Sequence, residues 1–111
     1  MSCTKIREAL EPVLPGSVFD TQAPENAEDG SPILEYIVLT DTGFRSVYAE
    51  GKPFATVSTA VVTVATQDQD STIPSRVVAA LAAARVAMAP AEHSYDDETA
   101  TYYTDIPCEV I

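Results

Sequence analysis

Apolar residues recur along this chain at two spacings, every three to four residues and every second residue, and the switches between them mark its elements. Thr4 to Leu14 places Ile6, Leu10, Val13 and Leu14 on one side of a short helix. Ser2 or Thr4 stands near its start, and Pro15-Gly16 ends it. Ser17 to Asp20 predicts a brief strand. Residues 21–32 turn polar and acidic, an exposed loop or a partner-contacting arm. Ile33 to Leu39 reads as the clearest core strand: Leu34, Tyr36 and Val38 project one way, Ile33, Ile37 and Leu39 the other, with Glu35 interrupting the second row. Asp41-Thr-Gly43 predicts a turn, Arg45 to Ala49 a short return strand, and Gly51-Lys-Pro53 another turn.

The strand 54–66 has no clearly wet face. Val57 and Val61 fall on one parity and Val62 and Val64 on the other, with alanines and threonines filling much of the rest. A polar connection, 67–72, leads to a helix over Pro74 to Ala89. Ser71 or Thr72 can cap its approach, Pro74 suits its first turn, and Val77, Leu81, Ala84 and Met88 form its apolar stripe before Pro90. Thr101 to Ile111 alternates: Tyr102, Thr104, Ile106, Cys108 and Val110 against Tyr103, Asp105, Pro107 and Glu109. Pro107 has no N–H to donate, which predicts an edge or a bulge there.

The order α–β–β–β–β–α–β predicts an α+β fold: a mostly antiparallel β-sheet with a short N-terminal helix and one long helix packed on one face. A chain of 111 residues suits a single domain over 1–111. Helices on one face leave the other face of the two-sided strands partly apolar, so self-association is expected. Val57, Val61, Val62 and Val64 are the candidates for core or subunit packing.

Charge then narrows the function. Seventeen acidic residues against six basic ones give a net charge of −11, while apolar content stays at 46%, too high for an acidic disordered tail. Such a surface repels phosphate backbones and excludes a sequence reader of nucleic acid. Cys3 and Cys108 are the only cysteines and are expected to stay reduced and unpaired. No run is apolar and long enough to span a membrane, and no signal segment is evident.

Candidate chemistry is sparse. Asp41-Thr-Gly43 resembles the signature of dimeric aspartic proteases, in which paired carboxylates share a proton and activate water. Phe44 and Arg45 follow where that family has a small residue, and no glycine-rich flap exists, so a turn built on Asp41 and Gly43 is the simpler reading. Asp68 and Asp70 lack the rest of a calcium loop. His93, Ser94 and Asp96-Asp97-Glu98 read as a solvated loop rather than a triad. Neither a nucleotide-binding glycine loop nor a zinc framework is present. The chain is expected to be no enzyme and to need no cofactor or metal.

Several stretches together carry a resemblance. They are the leader helix with Ile6 and Leu10, Pro15-Gly-Ser-Val-Phe19, the Ala23-Pro24 loop, Pro32-Ile-Leu-Glu-Tyr-Ile-Val-Leu39 and the strand ending Val61-Val-Thr-Val-Ala65. The helix holding Val77, Ala80, Leu81 and Ala84, and Tyr102-Tyr-Thr-Asp-Ile106, complete them. In this order the chain resembles the tail terminator, or tail completion, proteins of long-tailed, siphophage-like phages, over nearly its whole length. The resemblance implies a structural virion protein, assembled in the host cytoplasm into a homohexameric ring at the head-proximal end of the tail. Such a ring stops polymerisation of the tail-tube protein and presents a surface to the head-completion or connector protein. DNA would pass through its centre without sequence recognition, and an anionic wall suits that passage. Under this reading loops 21–32 and 67–72 reach neighbouring tail components, and Asp68 and Asp70 face the channel or a partner. The alternatives are a small acidic oligomeric adaptor or tail-tube/connector component and, more remotely, a dimeric aspartic protease using Asp41.

Overall fold

The computed structural model of the protein describes residues 2–21, 35–49 and 51–110, and for residues 2, 3, 44–49 and 52–56 it describes the backbone alone. Most of the loop 21–32, together with Ile33 and Leu34 of the expected core strand, lies outside the described residues. The elements run α1 (Ser2–Leu10), β1 (Val18–Asp20), β2 (Tyr36–Ala49), β3 (Lys52–Thr66), α2 (Ile73–Ala83), β4 (Ala87–Met88), β5 (Glu92–Asp96) and β6 (Thr101–Val110). The fold is α+β with a mostly antiparallel sheet, as the periodicity predicts.

The sheet order is β1-β2-β3-β6, and β4 and β5 follow one another along the outer edge of β6. β1 pairs with β2 in parallel, Val18 opposite Ile37 through Asp20 opposite Leu39, while the other pairings are antiparallel. Ile6 and Leu10 of α1 and Ile73, Val77 and Leu81 of α2 pack with Ile37, Leu39, Val62, Val64, Ile106 and Cys108 in one core cluster. The helices thus lie on one sheet face, and each fully buried aliphatic side chain there contributes about 1.5–3 kcal/mol. Arg7 fastens α1 to the sheet margin: its guanidinium donates to the Val18 carbonyl at 3.0 Å and meets the Asp20 carboxylate at 2.9 Å.

Several expectations are corrected. The turn predicted at Asp41-Thr-Gly43 is a bulge inside a continuous β2, because Asp41 stands opposite Ala60 and Gly43 opposite Thr59, leaving Thr42 over. The local chemistry is that of a turn: the Gly43 N–H donates to the Asp41 carboxylate at 2.8 Å, and Gly43 takes φ +110°, open to glycine. Arg45 to Ala49 therefore extends β2 and is no separate return strand. The second helix stops at Ala83, well before Pro90. Arg85 adopts the left-handed conformation (φ 61°), its N–H donates to the Ala82 carbonyl, and the Val86 N–H donates to the Leu81 carbonyl at 3.0 Å. This is a Schellman ending, with Val86 and Leu81 both buried in the core. Stopping there drops Val86 into the core and frees Ala87 and Met88 to pair with Glu109 and Cys108, so Met88 sits on a strand.

Pro107 occupies an interior strand, opposite Val61. It is tolerated because the neighbouring edge changes there from β4 to β5, and only its carbonyl is used on that side, accepting from the Ala89 N–H at 2.9 Å. Finally, His93 and Ser94 lie in β5, not in a loop, with His93 opposite Thr104 and Ser94 opposite Tyr103.

Candidate assembly surface

The sheet face turned away from the helices is built in cross-strand rows. Tyr36, Ala65 and Tyr103 form one row, Val38, Thr63 and Asp105 the next, and Thr40, Val61 and Pro107 a third. Apart from Ala65, which is fully buried, these residues are half-buried. The small Ala65 lets the two flanking tyrosines close over it and share a side-chain hydrogen bond. Burial, then that hydrogen bond and the neighbouring phenol, push the Tyr36 hydroxyl up to about 12. Thr63 donates to the Asp105 carboxylate at 2.8 Å, and Thr42 donates to Thr59 at 2.8 Å beside the bulge. Toward the bulge the face hollows into a groove of about 270 Å³, where Thr59, Val61 and Pro107 meet Ala87, Ala89 and Glu109.

The four valines singled out by pattern separate here. Val62 and Val64 are fully buried beneath the helices. Val57 is buried, 4% exposed, but outside that cluster, and Val61 stands on the open face in the groove. A strand with no wet face thus has one face for the core and one face uncovered by either helix.

Asp68 and Asp70 are exposed in the loop between β3 and α2. The Asp70 N–H donates to the Asp68 carboxylate at 2.9 Å, and the Asp68 carbonyl accepts from the Ser71 N–H at 3.1 Å. Ser71 in turn accepts the Ile73 N–H at 3.2 Å, so this short relay satisfies a free donor at the start of α2 while Thr72 makes no side-chain cap. Thr66 lies opposite Tyr102, and Gln67 donates to Thr101 at 3.0 Å. These links bring Asp68 and Asp70 to the same end of the sheet as the Asp97–Ala100 turn, where Asp96 accepts the Glu98 N–H. The acids gather at the end opposite the β2–β3 hairpin tip.

The remaining candidates have structural partners. Asp41 holds the bulge. His93 is exposed, and its Nδ1 lies 3.1 Å from the Thr104 hydroxyl. Successive strand residues project to opposite faces, which separates His93 from Ser94. Cys108 is a buried free thiol whose Sγ donates to the Ile106 carbonyl at 3.4 Å, and burial pushes it up to about 11. Among the described residues no cluster of three His, Cys, Asp or Glu could hold a metal ion, and no helix is long and apolar enough to cross a membrane. The feature that pattern reading missed is the open-face row Tyr36–Ala65–Tyr103. Its signal, aromatic residues on neighbouring strands flanking an alanine, emerges only once the register is known.

Neither a known family model nor a curated protein sequence matches the chain. Among solved structures, it is similar to a chain from "Virion of native gene transfer agent (GTA) particle", with a TM-score of 0.63 and 13% sequence identity. The match covers 94% of this chain and 88% of that one. At that identity the likeness establishes a shared fold across nearly the full length of both chains.

Proposed function

We propose that the chain, as one tail-terminator-like domain over 1–111, is a structural virion protein of a tailed particle. Its ring ends tail-tube polymerisation and joins the tail to the head-completion complex. The observation that carries this reading is the near end-to-end fold likeness to a chain of a gene transfer agent virion. Two features support it. The open sheet face holds half-buried apolar groups suited to a neighbouring copy, and a charge of −11 per subunit suits a passage for DNA that must not bind it.

In this account the partners are further copies of the chain, six to a ring, the tail-tube protein and the head-completion or connector protein. A heterologous interface between copies closes by rotation, while the two ring faces differ, so only one continues the tube. Asp68 and Asp70 face the channel or a partner, and no cofactor is needed. The ring resides at the head-proximal end of the tail after assembly in the host cytoplasm.

Native mass spectrometry of the chain, alone and with tube protein, tests this. A six-copy ring under either condition supports the reading. A monomer or dimer under both supports the small acidic adaptor instead. Asp68→Asn with Asp70→Asn should leave the ring intact and slow DNA passage; unchanged passage removes the electrostatic role of this pair.

A further inference from the structure

On its helix-side face the sheet changes character toward the end that carries Asp68 and Asp70. The aliphatic rows give way to Val64, Thr104 and His93 in one row and to Thr66, Tyr102 and Tyr95 in the next. Beside the start of α2 these rows border a cavity of about 280 Å³, where Thr66, Thr104, His93 and Tyr102 meet Gln69 and Ser71. That volume is below the ~300–1,000 Å³ of a drug-sized pocket and suits a single side chain. Two of its hydroxyls are buried, with Thr66 3% and Thr104 7% exposed.

The hydrogen bonds already made decide which ligand these groups can serve. Thr66 gives its proton to the Asp68 carbonyl at 3.3 Å, so its remaining capacity is lone pairs. Thr104 shares a 3.1 Å hydrogen bond with Nδ1 of His93, and with either tautomer its oxygen keeps a lone pair. The helix start, in other proteins a site for anions, is occupied here. Ser71 accepts the Ile73 N–H, Pro74 has no N–H, and the Arg76 N–H bonds the Thr72 carbonyl. The buried groups offer acceptors, and their ligand is a donor.

Charge selects among donors. No lysine, arginine, aspartate or glutamate is among the described lining residues, while Gln69 lies between the exposed Asp68 and Asp70. With −11 on the whole chain, the cavity sits in a field that draws cations and repels anions. Tyr102, held against Tyr95 with ring centroids 4.5 Å apart, adds an aromatic wall. A guanidinium suits this wall better than an ammonium, because it is planar, more weakly hydrated and stacks on rings.

We propose that this cavity binds an alkyl guanidinium group, the side chain of an arginine on a partner protein. The described lining comes from one copy, so the site does not depend on ring formation.

Titration of the unmodified chain with N-acetyl-arginine methylamide, followed by two-dimensional NMR, tests it. The equivalent citrulline compound serves as the uncharged isostere, and spermidine as a different cation. Salt at about 0.15 M screens general attraction to the exposed acids. The arginine compound should shift the signals of Thr66, Thr104 and His93 saturably, and the citrulline compound should bind at least about tenfold more weakly. Thr66→Val with Thr104→Val, which keeps the shape and removes the acceptors, should weaken arginine binding at least about tenfold. Retained dispersion of its amide spectrum verifies folding, and the citrulline comparison needs no variant. Absence of saturable shifts, equal binding of citrulline, or undiminished binding by the folded double variant overturns the proposal. Tighter binding of spermidine than of the arginine compound overturns it in favour of a polyamine.

Discussion

The two halves of the β2–β3 hairpin share sequence character but not surroundings. From residue 58 to 66, β3 is flanked by β2 and β6 and covered by both helices, and Ala60, Val62, Val64 and Ala65 are buried. Among the described residues, 45–49 of β2 pair with 52–57 of β3 and with no other strand. A strand's sequence pattern therefore does not reveal how many partners it has. Stability belongs to the flanked half.

The largest effect should come from the flanked half. Leu81→Ala empties a fully buried position beneath the sheet and should cost about 3 kcal/mol in urea denaturation. A cost below about 1 kcal/mol would mean that α2 does not carry the core. Next comes alkaline pH. Tyr36 and Cys108 hold their protons more tightly folded than unfolded, so their stabilisation is present at neutral pH. It fades as pH rises from 9, the thiol's ordinary value, to about 12, where Tyr36 ionises. Denaturation midpoints should fall across that window, and Tyr36→Phe should flatten its upper part. Unchanged steepness in that variant rejects the assignment to Tyr36.

Arg85→Gly relieves a left-handed residue at the end of α2 and should raise stability by about 1 kcal/mol. A loss would show that the arginine side chain contributes more than its backbone strain costs. The smallest effect should be that of shortening the β2–β3 hairpin. Replacing residues 46–56 by Asn-Gly should shift monomer stability by no more than about 0.5 kcal/mol, since β6 pairs with β3 only from Ser58 onward. A loss as large as that of Leu81→Ala would erase the contrast between the two halves.

Local signals made much of this fold legible. The stripes Ile6/Leu10 and Val77/Leu81 and the alternation of residues 101–110 mark the faces that the structure buries. Asp41 and Gly43 announced a turn, and they do make a turn-like hydrogen bond. Whether that bond closes a hairpin or bulges a long strand depends on β3, seventeen residues away at Thr59, whose hydroxyl meets Thr42. The end of α2 was hidden for a similar reason. Alanines 82–84 favour helix, but Val86 gains more by folding back onto Leu81, and a tertiary contact overrides propensity. Of the candidate acids, Asp68 was visible as a loop residue, but its part in the relay to Ser71 depends on backbone geometry.

The central claim is that this chain ends a tail tube. Tube lengths in electron micrographs of particles assembled with and without the chain test it most directly. The account predicts tubes of one length joined to heads when it is present, and overlong tubes without heads when it is withheld. Tubes of the same length in both preparations would contradict it.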